Sequence, residues 1–266
     1  MSRRLVVLGV LVLPLAGCVG GEDEHPPRAS QCEGTCAPTI VTVGSGTGSD
    51  GAAGAPAAEI TLSGDLSMFL DDTFDPGNQA LFSGGATVTA LGADGDVIDA
   101  EYDGVSFSLS GIVAVEDTKV LAAPTVGGAL PLPTLHTVDT RRSRQVTLSL
   151  VSSDALFRVF NSISSPALLD SDRAQLVLEF VDSSSDPVAG VRLGVAQAEF
   201  VAYAAGFDWA DDGLGTDENG LVVAGNIPAA SFPGTVVTVE LTGSVALRRQ
   251  ITLVRGAVTY ARLSVD

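Results

Sequence analysis

Two histidines, three cysteines, one tryptophan and 32 acidic side chains set the chemistry open to this 266-residue chain. Nucleophilic catalysis of the Ser-His-Asp kind needs an oriented imidazole. His25 and His136 are the two imidazoles, and His136 follows Leu130-Pro131-Leu132-Pro133-Thr134-Leu135, a Pro-rich stretch that predicts an exposed loop histidine. The sequence contains no Gly-x-Ser-x-Gly elbow and no Walker-type phosphate loop. A metal site built on Cys32, Cys36 and His25 lacks a fourth ligand at a recognised spacing. The richest stretch is Phe207 to Asp217, which holds Trp209 and the carboxylates Asp208, Asp211, Asp212 and Asp217. Calcium takes six to eight oxygens, which clustered aspartates and backbone carbonyls can supply, although the spacing is not that of an EF-hand. Phe207 and Trp209 could instead form a stacking platform for a sugar ring. The plainer reading makes the acids solvated turn residues and packs the aromatics over the end of a domain. Asp71, Asp72 and Asp75 around Phe74 form a second acidic loop, and Arg141-Arg142-Ser143-Arg144 is a small basic island before a strand.

Charge narrows the partners. With 14 Lys and Arg against 32 Asp and Glu, the formal charge is -18, so no cationic footprint exists for a phosphate backbone and nucleic acid is excluded as a partner. A hydrophobic fraction of 45% supports packed cores over a length sufficient for one large or two small domains.

The elements that must position these residues are strands. Val105 to Ser110, Gln145 to Leu150 and Val237 to Thr242 alternate apolar with polar residues, the period of a sheet with one buried face. Asp94-Gly95-Asp96, Asp103-Gly104 and Asn219-Gly220 offer residues that tolerate positive φ where hairpins reverse. Short strands with such turns indicate antiparallel sandwiches rather than βαβ units. One stretch breaks the pattern: Leu156, Val159, Phe160 and Ile163 recur at helical spacing, with Ser153 as N-cap and Pro166 beyond. It predicts a short helix at a domain junction, with a strand through Leu156 to Phe160 as the alternative.

The first residues carry an address. Arg3 and Arg4 precede a dozen apolar residues from Leu5 to Ala16, too short a run to span hydrocarbon, which takes about 20 residues. Leu15-Ala16-Gly17-Cys18 resembles the lipobox of bacterial lipoproteins. The resemblance implies cleavage before Cys18, attachment of diacylglycerol and an acyl chain such as palmitate to that cysteine, and anchoring in the membrane. Val19 stands where an Asp would resemble an inner-membrane retention signal, so outer-membrane sorting is expected. Cleavage would remove Arg3 and Arg4, leaving 12 of the 14 basic side chains against 32 acids, a charge of -20. Residues 19–58 contain Pro26-Pro27 and Gly, Ser, Thr and Ala tracts with few large apolar groups, which predicts a flexible tether spanning about 35 Å. Within it, an oxidising envelope favours a local disulfide between Cys32 and Cys36.

Two further segments resemble the carboxypeptidase regulatory-like family, small extracellular transthyretin-like β-sandwiches close to bacterial immunoglobulin-like repeats. Ile60 to Gly64, Gly85-Ala86-Thr87-Val88 and Asp103 to Leu109 carry the first match. Asp186-Pro187-Val188-Ala189-Gly190-Val191, Thr216 to Leu221 and the turn Gly225-Asn226-Ile227-Pro228 carry the second and closer one. The resemblance implies secretion and display, adhesion or accessory roles. It brings no peptidase activity, because His136 is followed at the third place by Asp139 and not by Glu.

The expectation is an all-β chain: signal peptide over 1–17, lipidated tether over 18–58, a first sandwich over 59–151, a helical connection over 152–173 and a second sandwich over 174–266. It predicts a non-catalytic cell-envelope lipoprotein for adhesion, scaffolding or partner binding. The alternative is a glycan-binding accessory module that uses Phe207 and Trp209, with calcium on Asp208, Asp211, Asp212 and Asp217.

Overall fold

The computed structural model describes residues 58–92, 94–125, 131–164 and 167–265. Cys18, His25, Cys32 and Cys36 lie outside the described residues, and with them the expected leader, anchor and disulfide. The first half contains β1 (Glu59–Phe69), β2 (Gln79–Leu81), β3 (Ala86–Leu91), β4 (Val97–Tyr102), β5 (Phe107–Val113), β6 (Thr118–Pro124), β7 (Pro131–Leu132), β8 (Thr134–Val138) and β9 (Arg144–Ser152). Helix α1 (Ser153–Ser162) follows. The second half contains β10 (Ala174–Val181), β11 (Val191–Val195), β12 (Phe200–Ala205), β13 (Asp208–Ala210), β14 (Leu221–Ile227), β15 (Thr235–Gly243), β16 (Leu247–Leu253) and β17 (Val258–Ser264). The protein is all-β with one short helix among the described residues, as the alternation and turn residues predict.

Alternation is translated directly into packing. In β3 the residues Ala86, Val88 and Ala90 are buried while Thr87, Thr89 and Leu91 are half-buried, and β5 and β6 repeat the pattern. The glycines at the predicted reversals take positive φ, +86° at Gly95, +94° at Gly104 and +66° at Gly220. At Gly220 a Cβ would also lie 2.5 Å from the Phe180 carbonyl oxygen, so the position excludes a side chain on two counts.

Three sheets result. A five-stranded sheet joins β2, β1, β9 and β7, with β5 also on β1; a three-stranded sheet orders β11-β15-β16; and a nine-stranded sheet runs β13-β12-β14-β10-β17-β8-β6-β3-β4. Most pairings are antiparallel. In each half, however, the first strand pairs in parallel with the last, β1 with β9 and β10 with β17. A third parallel pairing, Val258 with Thr134 and Thr259 with Leu135, joins β17 to β8 and makes the nine-stranded sheet continuous across both halves.

The cores follow the sheets. One cluster, including Leu62, Leu66, Val88, Phe107, Leu109 and Val120, fills the first half, and another, including Leu176, Phe180, Val191, Leu241 and Leu253, fills the second. A middle cluster is built from both: Phe69 and Phe74 from the first half, Leu156, Val159 and Phe160 from α1, and Val177, Trp209, Leu221 and Val258 from the second. β10 lies between two of these clusters, and all eight of its residues are buried, the burial expected of a central strand covered on both faces. The described residues form one compact unit.

Helix α1 presents Leu156, Val159 and Phe160 to the middle cluster, as their spacing predicts. Its N-cap is Ser152, one residue earlier than the sequence reading, with the Oγ accepting from the Ala155 N–H at 3.1 Å. A second correction concerns Gly225-Asn226-Ile227, read as a turn. These residues end strand β14, where Asn226 sits at φ +55° opposite a register shift between Ala174 and Leu176. The buried Asn226 Nδ2 donates to Glu199 and to the Leu168 carbonyl, and its Oδ1 accepts from the Asp170 amide and from Gln175. Asparagine is the side chain that tolerates this backbone and supplies both donor and acceptor.

Candidate functional site

The Phe207–Asp217 stretch is not one site. β12 and β13 form a hairpin whose two turn residues are Gly206 and Phe207, which leaves the Phe207 ring fully exposed. Trp209, two residues on, points to the opposite destination: it is 5% exposed, packs edge-on against Phe74 at 6.0 Å between ring centroids, and donates from Nε1 to Asp72 at 3.3 Å. A buried indole cannot form a stacking platform with Phe207, so the paired aromatic surface expected from the sequence does not exist.

The four carboxylates are likewise separated. Asp208 accepts from the Trp209 amide, Asp211 from the Ser164 amide and hydroxyl, Asp212 from the Leu214 amide, and Asp217 from the Gly206 and Asn219 amides. These bonds hold Asp208 and Asp211 below the usual carboxylate range. Among the described residues no group of three or more His, Cys, Asp or Glu side chains is placed to hold a metal ion. The aspartates act as turn caps, the plainer reading of the same sequence.

The second acidic loop does more. Asp71 accepts from the Thr73 amide and from Asn78 Nδ2, and Asp75 accepts from the Gly77 amide, so the loop is closed on itself. That closure presents Phe74, at φ +46° and 0% exposed, to the middle cluster. Asp72 meanwhile accepts from Arg158 of α1 at 3.3 Å and from Trp209. The loop fastens the first half to the helix and to the second half. Of the basic island, Arg141 is taken by Asp139 at 2.6 Å and Glu116 at 3.8 Å, and the Ser143 hydroxyl accepts from the Thr61 amide.

His136 is where sequence reasoning failed most clearly. The Pro-rich stretch before it is not a loop: Pro131–Leu132 pairs with β9, and His136 lies inside β8 at 9% exposure. Its Nε2 is 3.0 Å from the Ser149 carbonyl oxygen, which can only accept, so Nε2 carries the proton and Nδ1 the lone pair. Burial lowers its pKa to about 4, so the ring is neutral at physiological pH. Its Nδ1 lone pair meets no hydroxyl donor among the described residues, so His136 forms no histidine–hydroxyl pair of the kind a general base needs.

His136 nevertheless borders a cleft of about 580 Å³. It lies where β8 and β17 part, and its walls include Lys119, Thr137 and Asp139 from the first half and Arg249, Tyr260 and Arg262 from the second. Tyr260 stands edge-on to His136 at 6.1 Å and donates its hydroxyl to Glu179 at 3.2 Å. Arg262 reaches the same carboxylate at 3.1 Å, and the Glu179 side chain is 7% exposed. Burial and then the adjacent Glu179 charge push the Tyr260 phenol up, so it remains a donor. Lys119 donates to the Thr137 hydroxyl at 2.8 Å, and burial lowers its pKa. No sequence signal marked these residues. They converge only because the register sets Lys119 opposite Thr137 and Glu179 opposite Arg262.

No family model matches the chain, and no curated protein does. Solved structures that match the chain include a streptococcal ancillary pilin, 11% identical over 78% of this chain and 68% of that one, with a TM-score of 0.25. The shaft pilin SpaA of Lactobacillus rhamnosus GG is 9% identical over 79% and 98% of the two chains, with a TM-score of 0.23. The major pilin RrgB of Streptococcus pneumoniae is 11% identical over 80% and 49%, also at 0.23, so this chain spans about half its length. At such scores the likeness carries no functional weight.

Proposed function

We propose that this chain is a non-catalytic lipoprotein of the bacterial cell envelope, probing its surroundings with a single all-β binding body held off the outer membrane by a tether. The anchor rests on Leu15-Ala16-Gly17-Cys18 and the apolar run before it. A signal-cleaved, doubly or triply acylated cysteine binds membranes firmly where one chain would not. The observation that carries the binding-body reading is the continuous nine-stranded sheet with the shared middle cluster, which joins both halves into one display unit. His136 has no bonded hydroxyl among the described residues, which favours a binding role over a catalytic one.

Metabolic labelling with an alkyne fatty acid tests the anchor. The wild type is expected to take the label and sediment with membranes, and Cys18→Ser to lose both. Label retained in Cys18→Ser, or an uncut chain in the cytosol, overturns the assignment.

A further inference from the structure

The pairing that joins the two halves lasts for two residues and then fails. Beyond Thr259 and Leu135, β17 stays bonded to β10 as far as Ser264, and β8 stays bonded to β6 as far as Val138. Among the described residues Tyr260–Ser264 and His136–Val138 are therefore each paired on one side only, and both strands line the 580 Å³ cleft together with Arg249, Gln250 and Ile251 of β16. A one-sided strand presents alternate N–H and C=O groups to whatever enters, and such groups form strong, directional bonds with an added strand. Five residues of edge span about 16 Å, enough to seat a short extended segment.

Charge selects among such segments. Of the acids that line the cleft, Glu116 and Asp139 share the one guanidinium of Arg141, while Asp117 has no ion pair among the described residues and its charge acts on Lys119. Arg262 is taken by Glu179. That leaves two cations, one on each wall: Lys119, bonded to a hydroxyl, and Arg249, with no ion pair among the described residues.

We propose that the cleft between β8 and β17 binds an extended, carboxylate-bearing peptide of a partner protein, which adds as a strand to the β17 edge and sets its carboxylate between Lys119 and Arg249. Main-chain bonds hold such a strand and the side-chain pockets and charges select it. The inference rests on the binding reading of the β-body and is independent of the lipid anchor, so a failed acylation experiment leaves it intact.

The test uses the purified full chain and an array of nine-residue peptides alternating valine and threonine, with glutamate walked through each position. Fluorescence anisotropy is expected to show saturable binding for a subset of glutamate positions. Lys119→Met and Arg249→Gln are each expected to weaken it at least tenfold, and Thr137→Trp, an exposed wall position, to block it. Backbone N-methylation on alternate residues of the peptide is expected to abolish it. No saturable binding overturns the proposal. So does binding insensitive to N-methylation, or matched by succinate alone, which would mean a free carboxylate site; so does peptide-independent self-association blocked by Thr137→Trp, which would make the cleft a contact between copies.

Discussion

At the scale of single residues, the buried histidine makes the clearest prediction. Its folded pKa of about 4 lies below the ordinary 6.5, so between those values the unfolded chain binds a proton that the folded chain refuses. Stability is therefore full above pH 6.5 and falls as pH drops to 4, by about 3 kcal/mol at 1.36 kcal/mol per unit. Urea midpoints measured at pH 7 and pH 4.5 should differ strongly in the wild type and much less in His136→Gln, which keeps a donor but cannot charge. Asp139 behaves oppositely and elsewhere on the scale: the Arg141 guanidinium lowers it to about 2, so its contribution is present above 3.8 and lost only below the histidine window. Asn226 tests backbone and side chain together. Asn226→Ala should cost about 3 kcal/mol through unmet buried partners, and Asn226→Gly about 1 kcal/mol less because glycine accepts φ +55° freely, both readable as shifts in denaturant midpoint.

At the scale of elements, two short segments fasten the halves. Helix α1 was legible because Leu156, Val159 and Phe160 repeat at 3.6 residues and a serine precedes them; Ser152→Ala should cost about 1 kcal/mol. The 70–78 loop was legible only as an acidic loop, since nothing in Asp71-Asp72-Thr73-Phe74-Asp75 says that Phe74 enters a core assembled from distant strands. Phe74→Ala should cost about 3–5 kcal/mol, the usual range for a fully buried phenylalanine, and should raise near-ultraviolet signal changes at Trp209, its ring partner. A loss below about 1 kcal/mol would mean that the loop merely covers the junction. The Pro-rich stretch before His136 misled for a related reason: proline argues against a central strand, but Pro131 needs no ladder donor at the end of a two-residue edge pairing with β9.

At the scale of the molecule, the shared sheet and middle cluster predict one unfolding transition for both halves, with coincident far- and near-ultraviolet melts and equal calorimetric and van't Hoff enthalpies. Two resolved transitions would show that the β8–β17 pairing does not couple them. Composition and local pattern alone determined the all-β class, the places of the hairpins and the helix, because period-two alternation, helical spacing and positive-φ turns are properties of neighbouring residues. Strand direction, the continuity of the nine-stranded sheet, the burial of Trp209 and His136, and the cleft with its two facing cations were decided by the tertiary structure. Alternation reads the same in parallel and antiparallel strands, and it names a buried face without naming the strand, well over a hundred residues away in the case of β8 and β17, that will cover or abandon it.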